Sequence, residues 1–328
     1  MSKNVKMADI AKELGISIVS VSKALSNKDG VSEETRKKII DTAEKLGYLK
    51  TTGKENRDSH KTIVVVVAER FFGDSSFYSN MYNDLLQKLN SEGFITVLEI
   101  VSEIREKSAL VPASLFNPDV VGVVFMGEIS RALIKAIGAR NLPYIFLDFY
   151  DPTFEVNSVV SDSAFGSFQL TNHLVSKGIK NIVFVGSIKS TSSIMDRYLG
   201  YYRCMVINGL GSYVKTIEDR DDTGRFIKLA LPQKLPEAFV CNCDEIAFRL
   251  IQQLRDLSIK VPQEISITGF DGTNISLIST PSISTYRVDV GAMTEMASSI
   301  IVRLTRKKKV TTERSVIAGN LLLRDSCI

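Results

Sequence analysis

The chain has 328 residues, 44% of them hydrophobic and 24% charged, which suits a small module joined to a larger body of one or two lobes. Its net charge of +4 lies wholly in residues 1–61, with 13 Lys/Arg against 9 Asp/Glu, whereas residues 62–328 carry 28 of each. No apolar run approaches the roughly eighteen residues of a membrane helix, and the start MSKNVKMADIAKE lacks the apolar stretch of a signal peptide, so we expect a cytoplasmic protein with no membrane partner.

Three short helical patterns fill the first fifty residues. Ala8 to Leu14 sets Ile10, Ala11 and Leu14 on one face. Gly15-Ile16-Ser17 interrupts the period, and a second helix follows with Val21, Ala24 and Leu25 inward. Ser32 reads as the N-cap of a third helix, with Glu33 and Glu34 in its first turn, that buries Ile39, Ile40, Ala43 and Leu46 and stops at Gly47. Helices this short hold only by packing on one another. This is a helix-turn-helix pattern, and its second helix leaves Ser17, Ile18, Val19, Ser22 and Lys23 facing out. Exposed Ile18 and Val19 suit thymine methyls, Lys23 suits guanine acceptors or a phosphate, and the helix amino end with Ser17 and Ser20 suits phosphates. An ordinary three-helix mini-domain with a few exposed aliphatics fits the same pattern. The basic balance of the segment is equally that of a phosphate-binding or a merely solubilising surface.

Residues 49–61 (LKTTGKENRDSHK) lose apolar periodicity and read as a polar linker. From Thr62 strands and helices alternate: strands at 63–68, 94–101, 120–126 and 144–147 with helices at 77–91 and 130–140, then helices at 164–176, 193–208 and 244–257 with strands at 181–185, 238–240 and 266–270. Such βα repeats predict an α/β body of two doubly wound parallel sheets with a cleft between them. There is no dinucleotide fingerprint, Walker lysine or nucleophile elbow, so no catalytic residue and no enzyme activity is expected. Cys204, Cys241, Cys243 and Cys327 lack zinc-site spacing, and His60 and His173 lie far apart; we expect buried free thiols, no metal and no cofactor.

The run from Val5 to Asn27 (VKMADIAKELGISIVSVSKALSN), followed by VSEETRKKIIDTAEKLGY at 31–48, resembles the LacI/GalR family of transcriptional regulators. The resemblance continues through Phe77-Tyr78, Val160-Ser161-Asp162, Arg197-Tyr-Leu-Gly200, VPQEISITGFD at 261–271 and Leu323-Arg-Asp-Ser326. It implies a helix-turn-helix headpiece at 1–48, a hinge at 49–61 and a two-lobed, periplasmic-binding-protein-like body at 62–328. The lobes are expected at about 62–160 plus 289–312, and 161–288 plus 313–328. The implied function is a repressor that binds a pseudo-palindromic double-stranded operator as a homodimer and answers to a small sugar-like effector. Ile18, Val19 and Lys23 fall at the family's base-reading positions, and Ser17, Ser20 and Ser22 at phosphate-contacting ones.

For the effector, the resemblance points to Arg197, Asp271 and Asp148 as hydrogen-bonding groups and to Phe77 or Tyr78 as an aromatic wall. Bidentate charged groups suit vicinal hydroxyls. Capping or turn formation is the bland alternative for the two aspartates, and an inter-lobe ion pair for Arg197. Three departures stand out. The family's hinge carries a proline and a minor-groove leucine, where this chain has Lys50 and Arg57; Thr51 and Gly53 are hinge positions between them, and the glycine disfavours a helix. The family's Asn-Asp pair at a cleft-side helix start is Cys243-Asp244; Asp244 is expected to bind the effector, and either Asn242 shifts in as a second effector-binding residue or the ligand differs. No heptad tail follows Ser326, which favours a dimer over a dimer of dimers. A regulator that answers to a non-sugar ligand or to a partner protein is the alternative reading.

Overall fold

The computed structural model describes residues 7–25, 31–46, 61–72 and 76–328. They divide into two units, residues 1–61 and 62–328. Among the described residues no helix is long and apolar enough to cross a membrane.

The first unit holds α1 (Met7–Leu14), α2 (Ile18–Leu25) and α3 (Glu33–Leu46). Ile10, Ala11, Val21, Ala24, Ile39 and Ala43 form its buried core, with Leu14, Ile16 and Leu46 packed against it. Because these residues are few, each counts. Ser17 caps α2, its hydroxyl accepting from Ser20 N–H at 3.0 Å, and Ser32 caps α3 by accepting from Thr35 N–H at 3.3 Å. Arg36 of α3 closes the other end of α2 by donating to the Ala24 carbonyl at 3.1 Å. The expectation that Ile40 is buried fails: it is 37% exposed. Ile39, Ala43 and Leu46 already make the i, i+4, i+7 stripe, and Ile40 lies a further 100° around the helix. The Leu25 side chain, Gly47 and the hinge positions Thr51, Gly53 and Arg57 lie outside the described residues.

The second unit contains, in chain order, β1 (Thr62–Ala68), α4 (Glu69–Phe72), α5 (Ser76–Ser91), β2 (Ile95–Val101), α6 (Glu103–Lys107), β3 (Val120–Met126), α7 (Arg131–Gly138), β4 (Tyr144–Leu147) and β5 (Ser158–Ser161). It continues with α8 (Ser163–Ser176), β6 (Ile182–Val185), α9 (Ser192–Ile207), β7 (Thr216–Ile217), β8 (Ala238–Cys241), α10 (Asp244–Asp256), β9 (Ser266–Asp271) and α11 (Asn274–Ile278). β10 (Ser284–Arg287), α12 (Val290–Thr305), β11 (Arg314–Ile317) and β12 (Asn320–Leu322) complete it.

Two six-stranded sheets result, in the orders β11-β5-β4-β3-β1-β2 and β12-β10-β9-β8-β6-β7. All pairings are parallel except β10 with β12. β1 is buried along its whole length, as a β-branched strand covered on both faces must be.

The expected lobe boundaries need one correction. Residues 314–317 were placed in the second lobe, but β11 pairs in register with β5 of the first, Arg314 opposite Ser158 and Ile317 opposite Ser161. The chain therefore passes from the first lobe to the second between Ile317 and Asn320. Alternating apolar residues in a short segment show that a strand exists without showing which sheet edge takes it.

Close approach of α8 and α9 fixes the inner face of the second lobe. A Cβ on Gly200 would lie 2.0 Å from the Ala164 carbonyl oxygen, so only glycine permits this contact. One turn earlier on α9, and held by the same contact, is Arg197.

Candidate functional sites

In the first unit, α2 presents Ile18 at 52% and Val19 at 64% exposure, although the helix has an apolar core face of its own. Lys23 and Ser17 are exposed, and Ser20 and Ser22 half-buried. Large aliphatics left in water at a helix start cost apolar surface that folding does not recover, which is the signature of a surface kept for contact. The Ser17 and Ser20 hydroxyls lie 2.9 Å apart, so their hydrogen-bonding capacity is partly spent on the helix start itself.

In the second unit a cleft of about 560 Å³ opens between the lobes. Phe77, Tyr78, Asp148, Arg197, Asn242 and Asp271 all line it. Asp148 follows β4 and Asp271 ends β9, and both adopt left-handed backbone, φ 66° and 97°. Non-glycine residues are rarely held there, and such strain concentrates at sites where a side chain must be aimed. Tyr78 donates its hydroxyl to Asp148 Oδ2 at 2.7 Å. Arg197 sits flat over the Phe270 ring, 4.0 Å from its centroid, and donates to the Asn242 carbonyl at 2.5 Å. Its other terminal nitrogen forms an ion pair with Asp271 Oδ1 at 2.9 Å. That contact lacks hydrogen-bond alignment, and among the described residues both Asp271 Oδ1 and Arg197 Nε are left without a hydrogen bond. Both atoms are buried, so each is a desolvated polar group left unsatisfied by the fold.

Burial raises the Asp148 carboxyl to about 6, against the opposing pull of Arg197 and Tyr78. Burial also raises Asp271, with Arg197 and then Arg220 pulling it back. One guanidinium thus serves two desolvated carboxylates. Tyr78, half-buried in the cleft wall, has its phenol pushed well above the ordinary range by desolvation and by the facing Asp148, so it acts as a donor. Phe71 and Phe77 pack on its ring at centroid distances of 5.1 and 5.2 Å, building the aromatic wall.

Asp244 does not line the cleft; it is fully buried beneath it. Its Oδ2 accepts from Thr273 N–H at 2.7 Å and from the Thr273 hydroxyl at 3.1 Å, which fixes the turn after Asp271. Burial and then Asp271 raise its carboxyl to about 7. Asn242 does line the cleft, but its amide is committed. Nδ2 donates to Asp219 at 2.7 Å and to the Val185 carbonyl at 3.0 Å, and Oδ1 accepts from Arg220 at 3.4 Å. The Cys243 thiol is pushed up to about 12 by burial and is inert.

Reading the sequence missed the turn at 219–226. Asp219, wholly buried, accepts from Ser187 N–H at 2.7 Å and holds Arg220 Nε at 3.2 Å, so Arg220 is aimed into the cleft over Phe226. Asp221 Oδ1 ties the tip by accepting from Thr223 and Arg225 N–H. Only a turn signal, Asp-Thr-Gly, marks this stretch, and nothing in it announces a cleft arginine. Among the described residues no group of His, Cys, Asp and Glu is arranged to hold a metal ion.

Comparison with known proteins finds a match for each unit. Residues 6–50 match the family described as bacterial regulatory proteins, lacI family, and residues 171–327 the periplasmic binding protein-like domain. The transcriptional regulator RegA of Clostridium saccharobutylicum is 28% identical, the match covering 98% of each chain. The lac repressor dimer bound to operator and an anti-inducer superposes with a TM-score of 0.70 at 20% identity, covering 99% of each chain. The regulator CelR in complex with cellobiose gives 0.69 at 19% identity, covering 98% of this chain and 99% of that one. The chain belongs to the LacI/GalR family, a family of DNA-binding transcriptional regulators and not of enzymes.

Proposed function

We propose that this regulator is a cytoplasmic, homodimeric repressor that reads a pseudo-palindromic operator with α2 and is controlled by a polyhydroxylated ligand, a sugar or sugar derivative, in the inter-lobe cleft. One observation carries the ligand reading. Two strand-end aspartates in left-handed backbone, Asp148 and Asp271, flank Arg197 beside an aromatic wall, and all three residues line the cavity. Planar charged groups that hold vicinal hydroxyls in pairs, next to a ring that stacks on a sugar face, suit such a ligand. The similarity to a cellobiose-bound regulator supports it. For DNA, Ile18, Val19 and Lys23 read bases and Ser17, Ser20 and Ser22 meet phosphates. The similarity to an operator-bound dimer supports this and the two-fold arrangement.

A second reading, a non-sugar ligand, is favoured by one feature. Asn242 spends its amide on Asp219 and Arg220, and the neighbouring Cys243 supplies no donor in its place. The experiment is a thermal-shift screen of the full chain with sugars, sugar phosphates and uronates. A ligand at a hundred times its Kd stabilises by about 2.7 kcal/mol. A shift that Arg197→Ala abolishes supports the sugar reading; no shift by any carbohydrate overturns it.

A further inference from the structure

The body is electrically neutral as a whole, but its positive charge is not evenly spread. Arg303, Arg306, Lys307, Lys308 and Lys309 fall within seven positions at the end of α12 and just beyond it, and all five are exposed. Arg306 pairs with Glu92 at 3.0 Å, and Arg303 donates to the Lys309 carbonyl at 3.2 Å. Among the described residues the three lysines meet no carboxylate within ion-pair distance. Lys307 occupies the left-handed position that ends the helix, φ 54°, and turns the run away from the helix axis. Cations at a helix C-terminus are favoured by its dipole, but that field fades beyond the last turn and does not account for five of them.

Their place in the fold matters. Arg306 reaches back to Glu92 and lies over Phe94, 5.9 Å from the ring centroid, and the next residue, Ile95, pairs with Thr62. Thr305 packs on Gly122, which pairs with Ile63. The cluster therefore sits at the edge where β1 begins, the point at which the body takes up the chain from the headpiece. From Leu46 to Thr62 is 16 residues, a tether of at most about 55 Å. Duplex bound by the headpiece is thus presented to this edge at high effective concentration.

We propose that Arg303, Arg306 and Lys307–Lys309 form a second DNA contact, a sequence-independent phosphate site on the body that meets the duplex flanking the operator. DNA fits better than another polyanion because the same chain brings it to this edge. The body then adds affinity and salt dependence, and the headpiece alone supplies sequence preference.

The test uses the full chain and its Lys307→Gln/Lys308→Gln/Lys309→Gln variant, titrated against operator and random duplex between 50 and 200 mM salt, with melting curves as a folding control. The plot of log K against log salt should become shallower by about 0.9 for each lysine that meets a phosphate. Affinity for both duplexes should fall by the same factor, leaving their ratio intact. A Lys234→Gln/Lys260→Gln control, in the second lobe, should leave the slope unchanged. An unchanged slope in the triple variant overturns the proposal, as does a slope that falls equally in the control. Loss of binding to phosphatidylglycerol vesicles, with the duplex slope intact, would assign the cluster to a lipid surface instead. Should the parent bind random duplex without preferring operator, the operator reading fails while this comparison still decides the phosphate site.

Discussion

Glu128, just beyond β3 in the first lobe, accepts a hydrogen bond at 2.7 Å from the backbone N–H of Ser192, the first residue of α9 in the second lobe. A carboxylate placed on a helix amino end is favoured by the helix dipole and by an otherwise unpaired N–H. Here it also bridges the lobes on the helix that carries Arg197. A further bridge joins Tyr150 to Asp196 at 3.1 Å. Both bridges between the lobes thus end on α9, the helix that carries the cleft-lining Arg197.

Glu128→Ala removes this bridge without touching the ligand-facing groups. We expect weaker ligand binding, by roughly ten-fold for a charge-assisted bond of about 1.4 kcal/mol, and a more open body by small-angle scattering. Unchanged affinity and dimensions would show that Glu128 does not hold the lobes.

Gly200→Val should be more damaging than most changes outside the cleft. The added Cβ meets the Ala164 carbonyl at 2.0 Å, so α9 must move away from α8 and carry Arg197 with it. Loss of several kcal/mol in stability is expected, together with loss of ligand response at temperatures where the variant is still folded. A variant that melts as the parent does would refute the close-packing argument.

The pH dependence of stability should carry the mark of Asp148. Its carboxyl titrates at 3.8 in the unfolded chain and at about 6 when folded, so the native state holds the extra proton between those values. The contribution of this group is greatest at low pH and is lost as pH rises through about 6, by an amount on the order of 2–3 kcal/mol. Asp148→Asn removes that loss. Its melting temperature should exceed the parent's at pH 8 and converge with it only below pH 3.8, as measured by calorimetry. A gap that widens toward low pH would contradict the assignment.

Much of this was legible in the sequence, for identifiable reasons. The β-branched run at 63–68 and the 3.6-residue stripes of α1 and α3 encode burial directly, and the structure follows them. Exposed Ile18 and Val19 could be read because they break the pattern that their own helix sets. Asp244 was misplaced because a motif gives order along the chain but not depth, and this carboxylate serves the turn at Thr273. Arg220 was invisible because its placement depends on Asp219, Ser187 and Asn242, which are brought together only by the second sheet. The edge taken by β11 was likewise a matter of tertiary pairing, which the alternation of four residues does not specify.

The proposed function of this protein depends on α2 as a sequence-reading helix. The direct measurement is selection from a pool of random duplexes with the full chain at physiological salt, repeated with Ile18→Ala/Val19→Ala and with Lys23→Ala. We predict enrichment of an inverted repeat by the parent, altered base preference at one position in each half-site with Lys23→Ala, and loss of enrichment with the double variant, each variant melting as the parent does. A parent that enriches no sequence, or variants that enrich the same sequence to the same degree, would contradict it.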